Sequence, residues 1–152
     1  MSLNLNENAR GGNMCFTKVG LAEGTNANTL KIAAAAAYTI DGVHYAKSIT
    51  DNIAMTACDL QAVSTTCLYL CSLDSSGTLT VTKGREVLTA ELTADVESLE
   101  WPECPADECP IGAFKIATSS SVTFTSGTTD LSATGVTDTY YDLATVPTNN
   151  LT

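Results

Sequence analysis

Two short segments near the middle of the chain alternate apolar and polar residues with the two-residue period of half-buried strands. Residues 38–40 and 43–45 lie on either side of Asp41 and Gly42. An Asp-Gly pair between alternating runs is a strong hairpin signal, because a type I′ turn needs positive φ at both of its central positions. The pattern therefore predicts a β-hairpin here. The alanine run at 33–37 favours helix by propensity, but its alternating flanks favour a strand or a connection that another backbone can approach closely.

The most apolar segment, residues 65–73, predicts a buried central strand. One face carries Cys67, Tyr69 and Cys71, and the other carries Leu68 and Leu70. A strand with two apolar faces is expected to be covered on both sides. Residues 74–77 predict a loop, and residues 78–82 return as the second arm of a hairpin with Leu79 and Val81 facing inward.

The last quarter of the chain is rich in Thr, Ser and Val and is punctuated by glycine. Period-two spacing predicts strands at 113–118 and 121–125, a turn at Gly127 and a final strand at 136–142. We expect these strands to complete one sheet begun by the two hairpins.

In the N-terminal half, the remaining sequence predicts a short strand at 15–20, a loop at 20–28, a turn at 49–54 and a strand at 57–63.

Residues 87–99 are the one segment with helical spacing. Leu88, Leu92, Val96 and Leu99 fall on one face of a helix. Thr89 is positioned to cap its first turn, Trp101 and Pro102 end it, and the helix could be as short as the last half of this segment. An acidic, proline-rich link follows at residues 102–110.

These patterns predict a mainly β fold, an antiparallel sandwich or barrel-like domain built from hairpins, with one short helix and a flexible N-terminal arm. We assign residues 1–14 to the arm, 15–146 to a single β-rich domain and 147–152 to a C-terminal tail. Hydrophobic residues make up 44% of the chain but aromatic residues only 6%. Because ligand pockets are lined mostly by large apolar side chains, no large ligand pocket is expected.

The charge balance argues against several classes of partner. The chain has seven basic and 17 acidic residues, for a net charge of −10. Nucleic-acid binding depends on Lys and Arg, so it is not expected.

No run of the sequence approaches the ~20 apolar residues of a membrane helix. The start of the chain lacks the basic and apolar regions of a signal peptide, so we expect synthesis in a cytosol with reduced cysteines.

Residues that could carry chemistry give no catalytic or metal signature. Cys67 and Cys71 are four apart in a predicted strand, about 13 Å, too far for a disulfide. Cys104 and Cys109 flank the proline-containing link and could form a disulfide, while a metal site there lacks a second pair of ligands. The only histidine, His44, has no triad motif near it. Asp130, Asp138, Asp142 and the acidic link do not match a calcium-loop pattern. We therefore predict no catalytic, cofactor or metal residues, and a chain that is not an enzyme.

Four segments resemble small structural proteins of tailed bacteriophages, of the head-decoration, head-fibre or general virion type. They read NANTLKIAAAAAYTIDGVHYAKSITDNIAMTA, STTCLYLCSLDSSGTLTVTKG, CPIGAFKI and SSVTFTSGTTDLSATGVTDTYYDL, and they extend from about Asn26 to Leu143. The resemblance implies a β-rich and multimeric virion component. The cysteine-containing link PECPADECP departs from that pattern.

From the resemblance we expect a capsid decoration (cement) protein that binds between capsomers on the outer head surface. Its partners would be the major capsid protein and copies of itself, as a homotrimer, and it would assemble in the host cytoplasm. The alternative is a fibre or receptor-binding module that recognises a host surface through loops at residues 74–77 and 126–135.

Overall fold

The computed structural model describes residues 12–151. Within them the chain forms eleven strands and one short helix. These are β1 Met14–Cys15, β2 Leu21–Glu23, β3 Thr29–Ile32, β4 Ala36–Ile40, β5 Val43–Lys47, β6 Thr50–Ala54, β7 Thr65–Leu73, β8 Leu79–Lys83, β9 Val87–Leu88, α1 Thr89–Thr93, β10 Cys109–Thr118 and β11 Val136–Asp142.

The strands form three antiparallel sheets. The largest has the order β11-β10-β7-β8, with β9 also paired to β7, and the two smaller sheets have the orders β1-β4-β5 and β2-β3-β6. Every pairing between these strands is antiparallel. The mainly β, antiparallel fold predicted from the sequence is confirmed, and its packing is sandwich-like.

The main core lies between the large sheet and the two small ones. All nine residues of β7 are buried. Cys67, Tyr69 and Cys71 of β7 face this core, together with Phe114 and Ile116 of β10. The small sheets contribute apolar residues from their inner faces, namely Leu21, Leu30, Ile32, Cys15, Ala36, Tyr38 and Ile40.

A second, smaller apolar cluster lies on the other face of the large sheet. Leu68, Val87 and Leu99 form it, and Trp101 and Tyr141 pack against its edge. This cluster forms because successive residues of a strand point to opposite faces. Leu68 of β7 therefore points away from the main core, which Cys67 and Tyr69 face.

Both predicted hairpins are confirmed. β4 pairs with β5 through Tyr38↔Tyr45 and Ile40↔Val43. Asp41 and Gly42 have φ of +49° and +78°, as a type I′ turn requires. β7 pairs with β8, and the final strand β11 pairs with β10 over its whole length.

The prediction of one continuous sheet was wrong. The β4–β5 hairpin belongs to a separate small sheet, whereas the β7–β8 hairpin is continuous with β10 and β11. The strand predicted at 113–118 is also longer, because β10 begins at Cys109 and takes in the end of the acidic link.

The strands predicted at 57–63 and 121–125 were wrong. These segments meet only at an isolated bridge between Gln61 and Phe124. The first segment runs beside β8, but side chains make the contacts. Thr56 Oγ1 accepts from Val81 N at 3.2 Å, and Cys58 Sγ donates to Val81 O at 3.4 Å.

Strand β2 lies in a segment predicted as a loop, and β6 lies in a segment predicted as a turn. Both pair with β3. No residue of β6 is fully buried, so the two-residue alternation that marks a strand is missing. Asn52 has a φ of +56°, consistent with its turn-like composition. The predicted first strand is limited to Met14 and Cys15.

The segment predicted as one helix is divided between two elements. Val87 and Leu88 pair with β7, and α1 follows only from Thr89 to Thr93. The short helix is thus the first part of the segment, not its last half. Thr89 is not the cap, because Leu88 occupies that position without a side-chain cap bond. Val87 and Leu99 are buried, but Leu88 and Val96 are 49% and 72% exposed, so the apolar residues do not share one face.

The chain ends bear on the predicted arm and tail. Residues 12–14 of the predicted arm are described, and Met14 belongs to β1, while the rest of that arm lies outside the described residues. In the predicted tail, Leu151 forms a two-hydrogen-bond bridge with Leu99, at 2.7 and 2.9 Å. Over residues 12–151, no helix has the length and apolar character needed to cross a membrane.

Candidate functional site

The loop formed by residues 126–135, here called the 126–135 loop, is fixed to the core at its start and in its middle. Phe124, just before it, and Leu131, within it, are fully buried. Ser126 is also buried and donates its Oγ to Thr56 O at 2.9 Å. The buried anchors set the position of the loop relative to the large sheet.

Hydrogen bonds within the 126–135 loop give it a defined shape. Thr129 N donates to Thr125 O at 2.9 Å. Asp130 Oδ1 accepts from the backbone N and the Oγ of Ser132, each at 3.0 Å. These bonds, led by the one from the Ser132 backbone, hold the pKa of Asp130 below its usual range. Exposed hydroxylated side chains are left on the outside, at Thr128, Ser132 and Thr134, so the loop presents a preformed polar surface.

At Gly127 the 126–135 loop closely approaches the backbone of Met55. Its φ is +78°, and a Cβ added there would lie 2.7 Å from Met55 O. Its own carbonyl accepts a hydrogen bond from Asn28 Nδ2 at 2.9 Å. Only glycine satisfies both the backbone conformation and the close approach.

We expect Gly127→Ala to lower the free energy of unfolding by roughly 1–3 kcal/mol, since strained φ and steric overlap add. Gly77→Ala is the matched control. Gly77 has the same φ of +78°, but a Cβ there would meet only the Lys47 side chain, at 3.8 Å. Its cost should therefore be about 1 kcal/mol, from strain alone. Denaturant unfolding measures both, and equal losses would show that the close approach to Met55 does not matter.

The loop at residues 74–77 is also preformed. Asp74 Oδ1 accepts from the backbone N of Ser76 and of Thr78, each at 2.8 Å. The hydrogen bond from the Ser76 hydroxyl is the largest of the effects that hold the pKa of Asp74 below its usual range. Tyr38 OH donates to Asp74 O at 2.8 Å, and Lys47 Nζ donates to Gly77 O at 2.7 Å. The loop is thereby tied to both strands of the β4–β5 hairpin.

Gln61 is a structural residue that sequence reasoning missed. It is fully buried, and its Nε2 donates to Thr65 O and to Ile116 O, both at 3.1 Å. Its Oε1 accepts from Tyr69 OH at 3.0 Å. Together with its backbone bridge to Phe124, these bonds fasten the chain that leads into the 126–135 loop. A single glutamine between Leu60 and Ala62 gives no sequence signal for this role.

His44 lies exposed on β5. Its ring is 6.3 Å from that of Phe16, measured between centroids. Among residues 12–151, no hydrogen bond joins the imidazole to a serine, cysteine or carboxylate that could act with it.

All six cysteines are free thiols. Cys67 and Cys71 are fully buried, and burial raises the pKa of Cys67 to about 12 and raises that of Cys71 as well. The disulfide that the sequence allows between Cys104 and Cys109 is not formed. Cys104 Sγ instead lies 3.6 Å from Glu108 O. Burial raises the pKa to about 11 for Cys104 and to about 12 for Cys109.

Thiol labelling should follow burial. Only thiolates attack iodoacetamide, so a thiol with a raised pKa reacts slowly at pH 8 and faster as the pH rises. We expect the half-buried Cys58 and Cys104 to be labelled first in the folded protein and all six cysteines in denaturant, as measured by mass spectrometry. Labelling of Cys71 at the rate of Cys104 would contradict this burial. A limit of four labels in denaturant would show a disulfide.

The other acidic candidates do not gather at one place. Asp130 lies in the 126–135 loop, Asp138 lies on β11 opposite Ile116, and Asp142 ends β11, where its Oδ1 accepts from Leu21 N at 3.1 Å. In the described part of the chain, no group of three or more His, Cys, Asp or Glu side chains is arranged to hold a metal ion.

Comparison with protein-family models, curated proteins and solved structures gives no match for this chain. The candidate binding surfaces are therefore assigned from the geometry of this chain alone. They are the 126–135 loop and the loop at residues 74–77.

Proposed function

We propose that this protein is a decoration (cement) protein of a tailed-bacteriophage capsid. Four of its segments resemble such virion proteins, as described above. The observation that carries the proposal is the 126–135 loop, whose hydroxylated surface is preformed on a β scaffold by the buried Phe124, Ser126 and Leu131. A rigid binding surface costs little ordering entropy when it docks.

The proposed partners are the major capsid protein and copies of the chain itself as a homotrimer, on the outer surface of the head. Binding between capsomers would bury apolar and hydroxylated surface across several coat subunits, and each apolar Å² removed from water contributes about 25 cal/mol before ordering costs. The net charge of −10 suits a protein that docks on other proteins, and it disfavours contact with the packaged DNA.

Co-sedimentation with expanded empty capsids that lack the protein tests the proposal. The wild-type chain should pellet with the capsids, and a Thr128→Arg/Thr134→Arg variant of the 126–135 loop should lose roughly tenfold in affinity, because two desolvated charges oppose docking. Thr93→Arg/Ala94→Arg is the matched control, since it adds the same two charges at exposed positions at the end of α1, and it should bind as the wild type does.

The fibre or receptor-binding alternative predicts a different result in the same assay. The isolated protein would bind host cells and would not pellet with capsids. That outcome would overturn the decoration proposal and would leave the loops at 74–77 and 126–135 as the candidate receptor contacts.

A further inference from the structure

A groove of about 640 Å³ lies between the acidic link and the last residues of the chain. One wall is formed by residues 100–104 and the other by residues 146–150. Leu99 and Leu151 clamp the walls together through their backbone bridge, and Asn150 Nδ2 donates to Ser98 Oγ at 3.0 Å. The groove lies outside both loops of the candidate site. It is an open surface groove formed by two segments more than 40 residues apart in sequence.

Trp101 lines the groove in a fixed orientation. Its Nε1 donates to Asn149 O at 2.8 Å. Its ring meets that of Tyr141 edge to face, at 6.1 Å between centroids and 82° between planes. An indole held from two sides offers a ligand contact area at little entropic cost. Pro102, Val146 and Pro147 add further apolar surface beside it.

The charged side chains that line the groove are all acidic. Its lining, all within the described residues, contains two exposed carboxylates, Glu100 and Glu103, and no basic side chain. Arg85, within electrostatic reach of Glu100, is paired with Glu97. An aromatic ring flanked by carboxylates attracts a cation through both the ring quadrupole and the two charges.

We propose that this groove binds an extended peptide segment of a partner protein that carries arginine next to proline or another apolar residue. Arginine suits the site better than lysine, because its planar guanidinium stacks on an aromatic ring and pairs with a carboxylate at the same time. The apolar neighbours of the arginine pack on the proline and valine side chains of the groove. The inference goes beyond the proposed function and does not depend on a capsid partner.

Trp101 is the single tryptophan of the chain, so tryptophan emission, excited selectively over that of the tyrosines, reports this groove. A blocked peptide Gly-Pro-Arg-Pro-Arg-Gly, titrated into the full chain at about 50 mM salt, should produce a saturable change in emission. Affinity should fall roughly tenfold when glutamine replaces both arginines, since the charged contacts are lost. It should also fall markedly at about 0.5 M salt, which screens exposed charges.

Two variants of equal charge locate the binding. Glu100→Gln/Glu103→Gln should weaken the arginine peptide by roughly tenfold. Glu91→Gln/Asp95→Asn removes the same charge from exposed positions outside the groove and should leave the affinity unchanged. Equal weakening by the two variants would show attraction by net charge alone and would overturn the proposal.

Three further outcomes would also overturn it. The first is the absence of any saturable change, and the second is an equal change with the glutamine peptide. The third is an emission that already responds, without peptide, to Arg10→Gln or to protein concentration. That response would assign the groove to the chain's own N-terminal segment or to a second copy.

Discussion

Replacing Phe114 by alanine is expected to lower the free energy of unfolding by about 3–5 kcal/mol, the usual cost of truncating a buried phenylalanine. Phe114 is fully buried in β10. Its ring stacks on that of Tyr69 with 4.9 Å between centroids and 2° between planes. Tyr140 lies on β11 with 6.3 Å between its ring centroid and that of Phe114, so the truncation leaves a cavity beside both tyrosine rings. Denaturant unfolding measures the effect.

Phe16→Ala is the control for this prediction. It deletes the same side chain from a position that is 58% exposed, so its cost should stay below about 1 kcal/mol. A loss below about 1 kcal/mol for Phe114→Ala as well would mean that the sheets do not pack around this ring.

The second large effect is expected for Gln61→Ala, which should cost roughly 3 kcal/mol or more. It removes three side-chain hydrogen bonds and leaves Tyr69 OH and two backbone carbonyls without that partner inside the protein. A buried polar group that loses its partner costs about 1–3 kcal/mol. The measurement is again the free energy of unfolding in denaturant, with proteolysis within residues 121–135 as a local readout.

Tyr69→Phe separates the contributions. It removes only the hydroxyl that donates to Gln61 Oε1 and should cost about 1–2 kcal/mol. In the double variant the two losses should not add, because the residues share one hydrogen bond. Additive losses, or a Gln61→Ala cost below that of Tyr69→Phe, would show that Gln61 does not organise this part of the core.

The elements predicted best are those whose signal is local. Asp41 and Gly42 define a hairpin because their positive φ angles are needed by one turn type. β7 is recognisable because both of its faces are apolar and both are covered, one by the main core and one by the Leu68 cluster.

The elements predicted wrongly depend on distant partners. β6 forms because β3 pairs with it, and its side chains are mostly exposed. The segment at 57–63 has strand-like composition, but it bonds to Val81 through the side chain of Cys58, and Thr56, just before it, also uses its side chain. Val87 joins β7 because the second cluster buries it, and this tertiary contact overrides the helical spacing that follows.

The candidate surfaces were predictable only in part. Clusters of Ser, Thr and Gly mark the loops at 74–77 and 126–135 as turns, but nothing in the sequence shows that Phe124 and Leu131 anchor the second one. The groove could not be predicted, because Trp101 and Asn149 meet only in the folded chain.

The most direct test of the central proposal is the heat stability of virions that lack this protein. If the chain is a capsid decoration protein, a phage deleted for it should release DNA at a lower temperature than the intact phage. Adding the purified wild-type protein should restore the original temperature, whereas adding Thr128→Arg/Thr134→Arg should not. An unchanged release temperature in the deletion phage would contradict the account.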